Sequence, residues 1–119
     1  MTDKSIIGEA SCQYFIKPLS VNEAWQGRRY KTKAYETYEK LLLYSLPMLK
    51  IPAAPFEVHY IFGMSNGAAD IDNPIKPLQD IIQKKYGIND KDIYKIIVLK
   101  SKVRKGNEYI SFRIKTFNG

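Results

Sequence analysis

The chain has 119 residues, of which 45% are hydrophobic, and it carries a formal net charge of +7 at pH 7. This length and composition predict one ordinary globular domain over residues 1–119, and no stretch approaches the ~20 apolar residues of a membrane span. The single cysteine, Cys12, excludes an internal disulfide, and the first residues lack a signal-peptide pattern. We therefore expect a cytoplasmic protein and interpret Cys12 as a packing residue of a strand.

Hydrophobic periodicity defines the first half of the chain. In chain order the predicted elements are a strand over 10–17, a polar, basic loop over 20–32, a helix from Tyr35 that ends before Pro47, and a strand over 56–62. His59, the only histidine, alternates away from the aromatic positions of its strand. We interpret it as a packed or surface residue and not as a catalytic base.

The second half begins with a helix. Asn73-Pro74 is typical of a helix start, with an N-cap followed by proline at the first helical position, and Gly87 suits the C-terminal end. Residues 92–101 and 107–116 are predicted to form an antiparallel hairpin, and the apolar run 96–99 indicates a strand covered on both faces. The fold class is therefore α+β, a mostly antiparallel sheet packed with two main helices.

An acidic motif precedes the second helix. If residues 70–72 are extended, Asp70 and Asp72 point to one side, and two hard oxygen ligands come within reach of one divalent cation. Asp90 can supply a third carboxylate, and such oxygen-only sites suit Mg²⁺. Lys76 is a point charge suited to a phosphate. The combination predicts metal-assisted phosphodiester chemistry.

A structural interpretation of the same residues stays open. Asp-x-Asp is common in loops, where short carboxylates bond the backbone and start helices. Asp72 with Lys76, or Asp80 with Lys76 and Lys84, has the four-residue spacing of a helix-surface ion pair.

The chain resembles the RusA-type Holliday junction resolvases, small endonucleases of phages and prophages. The resemblance lies in residues 70–73, Lys76, Asp80 and residues 87–90, with a softer match over residues 18–22. It implies a RusA-like fold in which Asp70, Asp72 and Asp90 bind Mg²⁺, with Mn²⁺ as a possible substitute, and Lys76 acts at the scissile phosphate. Asp92 is an alternative to Asp90. The implied substrate is a four-way DNA junction nicked to 5′-phosphate ends, in a bacterial host cytoplasm.

Positive charge is concentrated in two clusters. Residues 91–119 hold eight Lys or Arg and two acidic residues, a net +6. The clusters predicted to contact nucleic acid are Lys100, Lys102, Arg104 and Lys105, and Arg28, Arg29, Lys31 and Lys33. A basic strand can equally protect a sheet edge. Trp25 and Tyr30 beside the second cluster are either base-stacking or packing residues.

These observations predict a Mg²⁺-dependent, structure-selective DNA endonuclease that resolves four-way junctions by paired symmetric nicks in recombination and repair. Two symmetric nicks need two sites, so we expect a homodimer. A non-catalytic basic nucleic-acid-binding module is the alternative, and a phage structural or protein-interaction domain is a further one.

Overall fold

The helices and strands alternate irregularly along the chain. The computed structural model describes residues 9–26 and 30–119, so the predictions for Arg28 and Arg29 lie outside the described residues. The elements are β1 (Glu9–Tyr14), α1 (Val21–Ala24), β2 (Trp25–Gln26), β3 (Tyr30–Lys31), α2 (Lys33–Ser45), β4 (Phe56–Met64), α3 (Ile75–Tyr86), β5 (Ile93–Lys102) and β6 (Tyr109–Thr116). A short 3₁₀ helix, Asp90–Asp92, leads into β5. The predicted α+β class is confirmed.

Four strands form the main sheet in the order β1-β6-β4-β5. Strand β6 runs antiparallel to both β1 and β4, whereas β5 runs parallel to β4. In that parallel pair Phe56 lies opposite Ile93 and Met64 lies opposite Lys102. The sheet is therefore mostly antiparallel, as predicted, and β2 and β3 form a separate two-stranded ribbon.

The predicted hairpin of the last two strands is wrong. Strand β4 lies between β5 and β6, and the two never pair. The cause is α3, which returns the chain to the end where β4 began, so that β5 starts there and runs parallel to it. The turn before β6 exists, with Asn107 N donating to Arg104 O at 2.9 Å, but it connects strands on opposite sides of β4.

The prediction that residues 96–99 are covered on both faces is also wrong. β5 is an edge strand, and Ile96 and Leu99 remain 41% and 57% exposed. The apolar run is typical of a central strand, but β4 holds the central position and pairs on both sides. Among the described strands, β5 pairs only with β4.

The core lies on one face of the sheet, under α2 and α3. The alternating residues of β4 and β6 bury every second side chain, as a half-covered sheet requires. The fully buried side chains of the two helices and two strands are Tyr35, Leu42, Leu78, Ile81, Ile82, Val58, Tyr60, Phe62, Ile110, Phe112 and Ile114. Burial of an aliphatic or aromatic side chain of this size contributes about 1.5–3 kcal/mol, so this layer dominates the stability of the fold.

Helix α3 starts later than predicted. Its cap is Pro74, which makes no side-chain capping bond, so the assignment of Asn73 as N-cap is wrong. The carbonyl of Asn73 instead accepts a hydrogen bond from Val21 N at 2.8 Å, which ties the approach of α3 to the start of α1. Gly87 ends α3 in the left-handed conformation, at φ 70°, as predicted.

The predicted loop over residues 20–32 is partly ordered structure. Ser20 and Glu23 form a capping box that starts α1, a signal present in the spacing of the two residues. Trp25 packs edge-to-face on Tyr35 with ring centroids 5.7 Å apart, whereas Tyr30 is 72% exposed. Of the two aromatic residues, Trp25 therefore has a packing role and Tyr30 stays accessible.

Two smaller expectations concern Cys12 and the membrane. Cys12 lies half-buried in β1, and burial raises the pKa of its thiol, in line with a packing role. Across residues 9–26 and 30–119, no helix has the length and apolar character needed to cross a bilayer.

Candidate functional site

Asp70 and Asp72 lie in the loop between β4 and α3. The condition of an extended backbone over residues 70–72 is not met, because the chain turns over residues 71–74 and Ile75 N donates to Asp72 O at 3.3 Å. Both residues are exposed. They directly precede the N-terminus of α3, where the partial positive charge of the helix favours bound anions such as phosphate.

The segment leading to Asp70 is held by its backbone. Asn66 Oδ1 accepts a hydrogen bond from Ala68 N at 3.0 Å, which closes a tight turn. The Lys100 ammonium donates to Gly67 O at 3.0 Å and to Ala69 O at 2.7 Å. The end of β5 thus fixes the loop that carries the first aspartate.

A cleft of about 280 Å³ opens beside Asp70. Its polar lining residues include three carboxylates, contributed by Asp70, Glu23 and Glu108, together with Lys17 and Asn66. Asp72 is not among the lining residues. The sequence did not single out Lys17, Glu23 or Glu108, which lie far apart along the chain.

Glu108 is oriented by hydrogen bonds. Ser65 Oγ donates to its Oε2 at 2.6 Å, and Gly106 N donates to its Oε1 at 2.8 Å. The hydrogen bond from Ser65 is the main reason that the pKa of the Glu108 carboxyl is below its ordinary value. Glu108 therefore keeps its negative charge at neutral pH, with Lys17 as a nearby counter-charge.

Glu23 lines the cleft, and the capping box of α1 positions its side chain. Its Oε1 accepts a hydrogen bond from Ser20 N at 3.3 Å. The Ser20-x-x-Glu23 spacing in the sequence was a signal that could have located this carboxylate. No local pattern points to Glu108, because its place depends on the pairing of β6 with β4.

Lys76 lies on the first turn of α3. Its ammonium pairs with Asp80 Oδ1 at 3.2 Å, and its side chain is 64% exposed. The alternative of a helix-surface ion pair between Lys76 and Asp80 is thus confirmed. Lys84 pairs with Glu39, at 2.7 Å, and not with Asp80. An exposed pair of this kind contributes little, about 0–1 kcal/mol, so Lys76 remains free to turn toward a phosphate at the helix start.

Asp90 lies at the other end of the sheet from Asp70 and Asp72. Strands β4 and β5 are parallel, so the start of β5 adjoins the start of β4, whereas Asp70 follows the end of β4. The twelve residues of α3 alone span about 18 Å between these ends. Within one chain, the structure therefore does not bring Asp90, or its neighbour Asp92, to the other two aspartates.

The donor chemistry at the Asp70 end suits Mg²⁺. This cation keeps several waters and binds through one or two carboxylates, and Asp70 and Asp72 are both accessible. No group of three or more His, Cys, Asp or Glu side chains able to hold a metal ion forms among residues 9–26 and 30–119. A single chain thus offers Asp70 and Asp72 as candidate ligands without the predicted third.

The C-terminal basic cluster shares the end of the sheet with the acidic motif. Lys100 and Lys102 are at the end of β5, and Arg104 and Lys105 follow in the turn; all four are exposed. Val103 N donates to Met64 O at 3.0 Å, which ties this segment to the start of the Asp70 loop. The two features predicted separately from the sequence are therefore neighbours.

In the second basic cluster, the described residues are Lys31 and Lys33, and one of them already makes contacts within the chain. Lys31 pairs with Glu39 at 3.3 Å and lies over the ring of Tyr35, 5.2 Å from its centroid. Lys33, the first residue of α2, is exposed. Lys33 is thus the more available of the two for a nucleic-acid phosphate.

Comparison with protein-family models and with curated proteins finds no match for this chain. The resemblance to the RusA-type resolvases consequently rests on the motif residues themselves.

Proposed function

We propose that this chain is a Mg²⁺-dependent, structure-selective DNA endonuclease that cuts four-way junctions. The observation that carries the proposal is the shared end of the sheet. There Asp70 lines a cleft, Asp72 and the N-terminus of α3 follow it along the chain, and Lys100 at the end of β5 bonds to the loop that carries Asp70. Carboxylates for a hard cation and ammonium groups for a phosphate backbone are the two requirements of metal-assisted phosphodiester cleavage.

Each residue has a distinct role in this proposal. Asp70 and Asp72 hold the cation, which when bound supplies an activated water and neutralises charge on the phosphate. Lys76, on the first turn of α3, stabilises the developing negative charge at the reacting phosphate. Lys102, Arg104 and Lys105 bind the flanking DNA backbone, and their exposed ammonium and guanidinium groups support that role.

A homodimer is part of the proposal. Resolution of a junction requires two nicks related by twofold symmetry, and one chain carries one Asp70-x-Asp72 motif. The distance of Asp90 from that motif within a chain leaves the third ligand to be supplied from elsewhere.

The second candidate function is a nucleic-acid-binding module without catalysis. It is favoured by the pairing of Lys76 with Asp80. In that case Asp70 and Asp72 serve only the turn that precedes α3.

The test is cleavage of a labelled four-way junction and a matched linear duplex, each with Mg²⁺ and with EDTA. The nuclease proposal predicts Mg²⁺-dependent nicks in two strands of like polarity on the junction and little cutting of the duplex. Salt-sensitive binding without nicks would establish the binding module instead, and the absence of both would refute any nucleic-acid function.

The matched control is Glu36→Gln, which removes an exposed carboxylate from α2, away from the cleft. It should leave cleavage unchanged while Asp70→Asn abolishes it. Equal loss in both variants would trace the effect to net charge rather than to the motif.

A further inference from the structure

Phe15 is a large apolar residue that the fold leaves in contact with solvent. It directly follows β1 and is 70% exposed. Its ring meets the ring of Tyr109 edge to face, with the centroids 6.4 Å apart and the planes at 72°. Tyr14 pairs with Ile110, and both contribute to the core, so the neighbouring Phe15 and Tyr109 lie on the opposite, open face of the sheet. Two aromatic rings therefore stand together on that face.

Tyr109 is held in place by the strand beneath it. It pairs with Gly63 of β4. A side chain at position 63 would collide with the Tyr109 ring, because Cδ1 and Cε1 of that ring lie where a Cβ would be. Glycine at this position therefore lets the ring lie directly on the backbone of an interior strand. The half-buried Tyr109 in turn supports the exposed ring of Phe15.

The aromatic pair, Phe15 and Tyr109, lies at the same end of the sheet as the Asp70 loop. Tyr109 begins β6 opposite the end of β4, and the Asp70 loop follows the end of β4. Lys17 and Glu108, each within two residues of one member of the pair, line the cleft together with Asp70. The aromatic pair therefore stands beside the candidate site.

Positive charge flanks the aromatic pair along the chain. Lys17 follows Phe15, and Arg104 and Lys105 lie in the turn that leads to β6; all three are exposed. Glu108, the carboxylate of the same turn, already accepts a hydrogen bond from Ser65 Oγ. Exposed aromatic rings among cationic side chains suit single-stranded nucleic acid, because the rings stack on bases and the cations attract the phosphate backbone.

The state of the bases decides which nucleic acid fits the aromatic pair. In a linear duplex each base is already stacked between its neighbours, so its face is not open to a protein ring. In a single strand, or at a branch point, a base can leave the stack at a lower cost. The aromatic pair therefore favours DNA with unpaired bases over linear duplex.

We propose that Phe15, supported by Tyr109, stacks on an unpaired base of the DNA substrate beside the cleft, while the three flanking cations hold the neighbouring phosphates. The substrate class is then DNA that offers an unstacked base at the site of cleavage. This inference rests on the proposed function only in placing the base next to the reacting phosphate, since stacking requires neither metal nor cleavage.

The test is the binding of a thymidine strand of about 12 nucleotides that carries one 2-aminopurine, in EDTA. The natural chain should quench the fluorescence of this base. Phe15→Leu stays apolar but has no ring, so it should bind the strand about 10-fold or more weakly, whereas Phe15→Trp should restore both binding and quenching. Tyr44→Leu is the matched control, since Tyr44 is 89% exposed but lies on α2, and it should bind like the natural chain.

A matched linear duplex separates stacking from charge. Its affinity should be the same for the natural chain and for Phe15→Leu, because both carry the same cations. Circular dichroism verifies that the variants fold. A natural chain that does not quench the probe, a Phe15→Leu variant that binds the strand as tightly as the natural chain, or equal weakening of strand and duplex would each overturn the proposal.

Nicking of a four-way junction in Mg²⁺ distinguishes this stacking site from the proposed enzyme. A chain that stacks the probe through Phe15 but cuts no junction leaves the stacking site standing and refutes the nuclease, together with the placement of the base beside a reacting phosphate. A chain that nicks junctions, and whose Phe15→Leu variant binds the strand like the natural chain, leaves the nuclease standing and refutes the stacking site.

Discussion

The two ends of the main sheet carry different segments: the Asp70 loop at one end and the short 3₁₀ helix of Asp90 at the other. At the end where β4 and β5 finish, the Asp70 loop is tied by Lys100, by Val103 and by an internal turn at Asn66. At the end where they start, Asp90 lies in a short 3₁₀ helix capped by Asn89, whose Oδ1 accepts from Lys91 N at 3.1 Å. The end where β4 and β5 finish has a cleft and a basic flank, whereas the end where they start has one exposed carboxylate, that of Asp90, and a half-buried one, that of Asp92.

This difference shows that residues of one sequence motif can lie at opposite ends of the sheet. Asp70, Asp72 and Asp90 form one pattern in the sequence, but α3 lies between the first two and the third. A helix in a parallel crossover moves the chain from one end of a sheet to the other. Variants of each end can therefore be compared within one protein.

The largest expected effect belongs to Asp70→Asn or Asp72→Asn. An amide preserves the shape but loses the charge that a hard cation requires, so junction cleavage in Mg²⁺ should fall by about 10³-fold or more. Both residues are exposed, so folding and junction affinity should change little. Gel-shift affinity and nicking rates measured together test this, and near-normal nicking by either variant would remove these aspartates as ligands.

Lys76→Ala should follow, with turnover reduced about 10²- to 10³-fold and junction affinity nearly unchanged. A charge that acts on the transition state affects turnover rather than binding. Single-turnover nicking at saturating protein measures the effect. Lys84→Ala is the matched control, since it removes another α3 lysine from an ion pair. A loss confined to affinity would reassign Lys76 to binding of the DNA backbone.

Asp90→Asn tests whether the end of the sheet where β4 and β5 start contributes to cleavage. If the partner subunit supplies this carboxylate, the variant should lose about 10²-fold in nicking rate. A heterodimer of Asp70→Asn and Asp90→Asn chains, purified through two tags, then contains one intact site and should recover about half of the natural nicking rate.

The control for that experiment is a heterodimer of Asp70→Asn and Asp72→Asn chains, in which both altered residues belong to the same end. This heterodimer should recover no nicking activity. Full activity of the Asp90→Asn homodimer would show that Asp90 takes no part in cleavage. An inactive heterodimer of Asp70→Asn and Asp90→Asn chains would place all metal ligands of a site on one chain.

The smallest expected effect is that of Lys100→Ala. Its ammonium is bonded to the carbonyls of Gly67 and Ala69, so its loss should loosen the Asp70 loop and reduce cleavage about 10-fold. The salt dependence of junction binding should stay unchanged, in contrast to Lys102→Ala, which should reduce the salt slope by about 1. A reduced slope for Lys100→Ala would identify it as a phosphate contact instead.

The elements were predictable where local patterns determine them. The alternation over residues 56–62 and the apolar spacing from Ile75 to Tyr86 reflect burial on one face, which depends on neighbours in sequence. The capping box at Ser20 was also readable and would have corrected the predicted loop. The α+β class follows from these patterns alone.

The pairing of strands and the lining of the cleft were not predictable in the same way. Proximity in sequence favours a hairpin of β5 and β6, but β6 finds a better partner in β4, whose buried residues alternate in step with its own. The meeting of Glu23, Asp70 and Glu108 depends on three separate elements. Such contacts follow from topology, which periodicity does not encode.

The interior position of β6, between β1 and β4, has a consequence for how the molecule folds. β1 pairs only with β6 among the described strands, and β4 obtains its antiparallel neighbour from the same strand. The first strand therefore has no partner until residues 109–116 arrive, and its contacts with them span most of the chain. Such long loop closures slow folding, so we expect the sheet to close late, with β4, α3 and β5 able to associate first.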